Sequence, residues 1–222
     1  METDDISCAV KEGYRDYGFR NELPSHMHAR FLPALFELCG ELLRPGAHVL
    51  DVGCGNGYTA GQFLARGCDI VGIDLSETGI ALARQTYPAA RFEMLPADDQ
   101  ILRRLGCSPF DIIVSTEVIE HLYAPREYMK GCFKALRPGG KLVLSTPYHG
   151  YLKNLFISLL DKWDDHLNPL WDGGHIKLWS RATLSCLFTE TGFDNLRFRG
   201  AGRIPYLWMT MLMAGDRPVP EI

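Results

Sequence analysis

Gly53, Gly55 and Gly57 stand within five positions of one another in the stretch DVGCGNG, which follows the apolar run AHVL. Glycines at a strand end let backbone pass close to a ligand at the start of a helix. The pattern is GxGxG, and Tyr58 stands where the dinucleotide fingerprint GxGxxG would place its last glycine. Asp51 precedes the loop, where a carboxylate would repel a pyrophosphate and welcome a cation. Asp74 ends the run IVGID, 21 residues after Gly53, a position from which an acid accepts hydrogen bonds from both ribose hydroxyls. The competing reading of Asp74, an N-cap, is weakened because Ser76 already supplies one. S-adenosylmethionine carries adenosine, a sulfonium and an ammonium group but no phosphate, and so fits these features better than a dinucleotide.

A second group of residues could serve an acceptor. Glu117, Glu120 and His121 lie at spacings of three and four after the apolar run FDIIVST. They could hold a divalent cation such as magnesium, whose charge lowers the pKa of a bound hydroxyl. The plainer reading, in which His121 caps the loop and Glu120 is a structural partner, is favoured, so no metal is expected. His121 stays open as a base. His149, His166 and His175 crowd into residues 148–179 beside Tyr148, Trp163, Trp171 and Trp179, where histidines and aromatics could bind a flat acceptor and supply a base. His175, in its GGH setting, is preferred among them, and core packing is the better reading of Trp171 and Trp179. No Cys/His cluster has zinc spacing, and nothing supports a cysteine nucleophile.

The elements that must position these residues are legible in the apolar pattern. AHVLDVG, CDIVGIDL, ARFEML, FDIIVST and GKLVLSTP read as five strands buried on both faces. Between them YTAGQFLARG, SETGIALARQTY, ADDQILRRLG and PREYMKGCFKALRPGG have helical spacing, with Ser76 as N-cap of the second and Pro125 in the first turn of the fourth. This alternation predicts an α/β fold, a doubly wound, mostly parallel seven-stranded sheet, Rossmann-like, with an antiparallel C-terminal strand and a lid insertion. Phe31, Leu35, Leu38 and Leu42 mark a covering helix before the core. After it, SRATLSCLFTETG reads as a helix capped by Ser180 and stopped by Gly192, and FDNLRFRGAG and TMLMAGDRP as two closing strands, an antiparallel pair. IPYLWMTMLMAG is the most apolar stretch, too short to span a membrane and read as a core strand. The expected organisation is one domain over 1–222, with covering helices in 1–46, a cofactor-binding core in 47–147, a substrate lid in 148–179 and a closing helix and strands in 180–222.

Composition sets bounds on partners. Of 222 residues, 46% are hydrophobic and 23% charged, and the formal charge of -4 argues against nucleic acid. The short cluster RFRGAGR is explained by a solvated strand edge. Seven cysteines lack any CxxC pair, which suits a reducing cytosol, and the acidic, polar N-terminus is unlike a signal peptide. A cytoplasmic location, a small-molecule acceptor, no nucleic acid and no transmembrane segment follow as expectations, with oligomeric state left open.

Taken together, VLDVGCGNG, the acid of VGIDLS, FDIIVSTEVIEHL and the turn LRPGG before KLVLSTP resemble the class I S-adenosylmethionine-dependent methyltransferases, over about residues 27–147 by motif and the rest by order of elements. EVIEHL, the STP strand end and GGHIKLWS look closest to the 3-demethylubiquinol O-methyltransferase type, where the E-x-x-E-H arrangement is associated with a divalent metal. The resemblance implies that Asp51, Gly53 and Gly55 line the methionine part of the cofactor, with Cys54 between them as a small side chain fitting strand to helix. It implies that Asp74 holds the ribose, that Leu75 packs on the adenine, and that Asp98, with Asp99 an equal candidate, sits near the adenine amino group. Thr116 would contribute backbone at the methionine end, and Tyr14, Tyr17 or Arg30 would close over the cofactor. The implied activity is methyl transfer to a small molecule, at the oxygen of a phenol, quinol or sugar-type hydroxyl, against N- or C-methylation of a metabolite. Two rivals stand beside it: an NAD(P)-dependent oxidoreductase, and a non-catalytic S-adenosylmethionine-binding regulatory protein.

Overall fold

The computed structural model describes residues 17–24, 27–167 and 174–220. In chain order its elements are α1 (His28–Cys39), a 3-10 turn (Gly40–Leu42), β1 (His48–Val52), α2 (Tyr58–Leu64), β2 (Asp69–Asp74), α3 (Glu77–Thr86), β3 (Arg91–Met94), α4 (Ile101–Leu105) and β4 (Phe110–Thr116). A 3-10 turn (Ile119–His121), α5 (Pro125–Ala135), β5 (Leu136–Pro147), α6 (Tyr151–Leu159), α7 (Trp163–Leu167), α8 (Arg181–Thr191), β6 (Asp194–Ala201) and β7 (Thr210–Asp216) complete it. The seven strands form one sheet in the order β3-β2-β1-β4-β5-β7-β6. The first five are parallel, and β7 runs antiparallel to both β5 and β6. The expected doubly wound architecture with a closing antiparallel strand is the one observed.

Alternation along the strands feeds two cores. Leu50, Val52, Ile73, Ile113 and Leu144 point to the face covered by α4, α5 and α8, where Tyr128, Met129 and Phe188 are buried. Val49, Ile70, Val114 and Val143 point to the other face, covered by α1, α2 and α3 through Phe31, Leu35, Phe63 and Ile80. Each fully buried Leu or Ile contributes roughly 2 kcal/mol of transfer free energy. The local signals hold where they were read. Ser76 accepts from the Gly79 N–H at the start of α3, Pro125 opens α5, and Ser180 forms a capping box on α8, which Gly192 ends in a left-handed conformation.

Two segments differ from expectation. β5 begins at Leu136, so RPGG lies inside the strand; the pairing with β4 shifts register between Phe110 and Ile112 to accommodate it. Only the second half of IPYLWMTMLMAG is strand, because Ile204 and Tyr206 are exposed in the turn between β6 and β7. Residues 148–179 contain two helices, α6 and α7, with 168–173, including Trp171, outside the described residues. No described helix is long and apolar enough to cross a membrane.

Candidate active site

The carboxyl ends of β1, β2, β4 and β5 open on one edge of the sheet, and the polar residues gather there. Asp51, on the α1–α2–α3 face of β1, is completely buried, and although the Ala60 N–H faces it, neither carboxylate oxygen has a close hydrogen-bond partner among the described residues. Burial, helped by the charge of Asp74, pushes its carboxyl up to about 7. A buried carboxyl whose oxygens are both unfilled is a place prepared for a donor, and an ammonium group supplies one with matching charge.

The glycine loop is shaped for close approach. Gly53 adopts φ 77° and Gly55 φ 52°, a region that favours glycine. A Cβ on Gly53 would strike the Val118 side chain, and one on Gly55 would fall 2.6 Å from the Phe19 ring. Asp74 ties the loop to the next helix, accepting from Gly55 N–H at 2.7 Å with one oxygen and from Ser76 N–H at 2.8 Å with the other. Leu75 beside it is half-buried. Cys54 is buried against Gly72 at the root of the loop, and burial pushes its thiol up. Thr116 ends β4 in register with Ser145, half-buried at the mouth.

Asp98 and Asp99 are already engaged. Arg104 donates to both Asp98 oxygens at 2.8 and 2.7 Å, and Gln100 N–H donates to one of them. Asp99 is turned outward to Gln100 and Lys134, which hold its carboxyl below the usual range. Of the three residues expected to close the cleft from the N-terminal side, Tyr14 lies outside the described residues. Arg30 donates to the Gly202 carbonyl at 3.0 Å, toward the β6–β7 end of the sheet. Tyr17 packs on Phe19 with ring centroids 4.8 Å apart. Phe19, a residue no sequence motif marks, lies directly against Gly55 and Gly79. The segment 19–23 is fastened by Asn56, whose amide donates to the Asn21 and Leu23 carbonyls, and by the Phe19 N–H bond to Thr78. The sequence carries a faint signal for it: Tyr17 and Phe19 are aromatic residues two positions apart in a segment rich in charged side chains.

Val118, filling the space that Gly53 leaves, joins this half of the cleft to the second. Glu117 there has φ 55°, a strained conformation for a side-chain-bearing residue. It is held by Ser145 and Thr210, whose hydroxyls both donate to one oxygen at 2.7 Å, and burial pushes its carboxyl up. Glu120 is 1% exposed; Thr146 donates to one oxygen while the other has no partner, and burial with the nearby Glu117 charge pushes its carboxyl well up. His121 lies beside Glu120, with Nδ1 3.2 Å from the Gly174 carbonyl and its ring 5.0 Å from that of His175.

The structure thus groups Glu120, His121 and His175, each offering a ligand atom within 4.8 Å of the others, and leaves Glu117 out of that trio. His149 is buried, 5.0 Å from the His166 ring and parallel to Trp163. Its Nδ1 is 3.1 Å from the Asn154 side-chain oxygen. An amide oxygen only accepts, so Nδ1 carries the proton and Nε2, buried without a partner, is a bare lone pair. Burial lowers the His149 pKa, and burial together with neighbouring cationic groups lowers those of His166 and His175 to about 4. These three rings are neutral at pH 7. Trp179 packs on the core as expected, with its indole N–H 3.4 Å from the Ile119 carbonyl.

The Methyltransferase domain family profile matches residues 21–197. A Mycolicibacterium smegmatis protein named a probable S-adenosylmethionine-dependent methyltransferase is 32% identical over 166 residues, 71% of this chain and 57% of its own length. A ubiquinone biosynthesis O-methyltransferase from Idiomarina loihiensis is 36% identical over 110 residues, 46% of this chain and 42% of its own. The chain spans about half the length of these curated relatives. Among solved structures, an O-methyltransferase family protein from Burkholderia thailandensis shares the fold at TM-score 0.64 and 19% identity, over 86% of this chain and 57% of that one.

Proposed function

This chain belongs to the class I S-adenosylmethionine-dependent methyltransferases, and on that premise we propose that it transfers the methyl group to the hydroxyl oxygen of a small acceptor of phenol, quinol or sugar type. The observation that carries the acceptor reading is the set of buried polar atoms on Glu120, His149, His166 and His175 with no partner among the described residues, three of them in the segment that follows β5. Such atoms are costly unless a polar ligand fills them. A hydroxyl, which both donates and accepts, matches a pocket of neutral imidazoles and carboxyls.

Bound S-adenosylmethionine supplies an electrophilic methyl carbon on a positively charged sulfur. Asp51 holds the ammonium end, Asp74 the ribose, and Gly53 and Gly55 bring backbone close. Leu75 packs on the adenine and Phe19 closes the loop from above. The ion pair of Asp98 with Arg104 makes it a structural brace of the loop after β3, and leaves backbone there to meet the adenine. The lid residues exclude water and align the acceptor oxygen with the methyl group. His149 Nε2 takes the hydroxyl proton.

A divalent cation is a second reading, favoured by the Glu120–His121–His175 trio. Two imidazoles and one carboxylate suit zinc, manganese or iron better than magnesium, which prefers an all-oxygen shell. Its positive charge would lower the pKa of an acceptor hydroxyl. The decisive experiment incubates the protein with S-adenosylmethionine and a panel of phenols, quinols, sugars and amines and follows S-adenosylhomocysteine. Turnover confined to hydroxyl acceptors is the expected result; turnover confined to amines overturns the reading, and cofactor binding with no turnover on any acceptor favours a regulatory protein. Repeating the assay after chelation separates the metal reading, which predicts loss restored by the added transition metal, from the metal-free one, which predicts full retention.

A further inference from the structure

Helix α6 is built the wrong way round for a surface helix. Tyr151, Leu152, Leu155, Phe156 and Leu159 are exposed, whereas Lys153 and Ile157 are the residues turned inward. A lysine is among the last residues expected inside unless it is paired. Lys153 is 6% exposed, donates to the Met209 carbonyl at 3.1 Å, and forms no ion pair among the described residues. Two of its three N–H donors are therefore unfilled among the described residues.

The surroundings of this ammonium come from every element at the cleft. Met209 immediately precedes Thr210, which hydrogen-bonds Glu117. Glu117 from the loop after β4, His149 from the end of β5, His166 from α7, His175 from the segment before α8, and Arg203 from the β6–β7 turn all act on it or are acted on by it electrostatically. Holding an ammonium in such a place is costly unless an anion or strong acceptor fills its free donors.

The chemistry of the neighbouring histidines shows what that acceptor must be. An imidazole held below the ordinary histidine value is a weak base, and burial does this to His149. A phenolic hydroxyl has a pKa of about 10, so passing its proton to His149 is uphill unless the oxyanion is stabilised. We infer that Lys153 is a catalytic residue of the acceptor half, its two free N–H groups binding the reacting oxygen and holding it as an oxyanion. The inference rests on the O-methylation reading above. In balanced form, the acceptor O–H bond breaks and its proton passes to His149 Nε2 and on to water. The oxygen pair then forms the new O–CH3 bond as the C–S bond breaks, its electrons remaining on sulfur. The Lys153 pKa is lowered to about 8, chiefly by burial and then by Arg203, so the residue is still a cation at pH 7.

Lys153→Met removes the charge at similar length, and Lys153→Arg restores a cation. Two measurements separate the ideas, each with thermal melting and S-adenosylmethionine calorimetry as checks on folding and on the cofactor half. The first titrates para-nitrophenol bound to each protein with S-adenosylhomocysteine present, following the phenolate absorbance. An opposite charge lowers a neighbouring acid's pKa by about 1–3, so wild type and Lys153→Arg are expected to ionise the bound phenol at least about tenfold more readily than Lys153→Met. The second compares kcat/KM across phenols of graded acidity. The Lys153→Met loss should be greatest for the weakest acids and shrink for acceptors already ionised. Equal ionisation of the bound phenol in wild type and Lys153→Met, no bound phenolate in wild type, or a loss independent of acceptor acidity overturns the role of Lys153. Turnover of amines alone with no hydroxyl acceptor instead overturns the O-methylation reading.

Discussion

Replacing Asp51 by Asn tests the cofactor half of the site most directly. Asp51 is buried with two partnerless oxygens and a carboxyl pushed up to about 7. At about 1.4 kcal/mol for each factor of ten, ionising it inside the ligand-free protein costs roughly 4 kcal/mol relative to the unfolded chain. The sign follows from the raised value. Its contribution to stability is fully present below the unfolded pKa near 4 and is lost as pH rises through about 7. The ligand-free protein should therefore melt at progressively lower temperature from pH 5 to pH 8, and Asp51→Asn should remove most of that slope and be the more stable protein at pH 8. Binding runs the other way. An ammonium group in contact with Asp51 favours the carboxylate, so the affinity for S-adenosylmethionine should fall about tenfold for each pH unit below 7 and level off above it, with close to one proton released per ligand bound at pH 6. Calorimetry in buffers of different ionisation enthalpy reads that proton directly. In Asp51→Asn the affinity should be weak and flat with pH. Wild-type affinity that does not change between pH 5.5 and 8, or an Asn variant that binds as well as wild type, would refute the assignment of Asp51 to the ammonium group.

Two further outcomes follow from the geometry. Asp74→Ala removes the acceptor of two backbone N–H groups as well as the proposed ribose partner; at about 1.5–3 kcal/mol for a charged hydrogen bond, S-adenosylmethionine affinity by calorimetry should fall about 10- to 100-fold, and an unchanged Kd contradicts the ribose reading. Gly131 on α5 lies so close to the Asp98 carbonyl that a Cβ would strike it, so Gly131→Ala should lower stability by about 1–3 kcal/mol, seen as a drop of several degrees in the melting temperature, and an unchanged Tm would mean that this contact yields freely.

How much of the molecule could be read in advance depends on the range over which each signal acts. The strands of the core, the Ser76 and Ser180 caps, the Gly192 stop and the first turn at Pro125 were visible because propensity, capping and period are set within a few residues. The glycine loop with Asp51 and Asp74 was visible because strand ends in a parallel sheet must face the ligand edge. The placement of RPGG inside β5 was not, since a register shift against β4 decides it. Nor were the helices α6 and α7, whose partners lie across the lid and at Met209.

The sequence by itself determined the order of strands and helices and which carboxylates and glycines stand at the carboxyl ends of the strands. Tertiary structure alone decided how they divide. Glu117 is drawn away to Ser145 and Thr210, His175 is brought to Glu120 and His121, Phe19 rather than Arg30 lies over the glycine loop, and Lys153 is turned inward. Spacing reports neighbours three or four residues apart on one element, whereas these contacts join residues dozens of positions apart, and only the packing of the sheet edge against the lid brings them within reach.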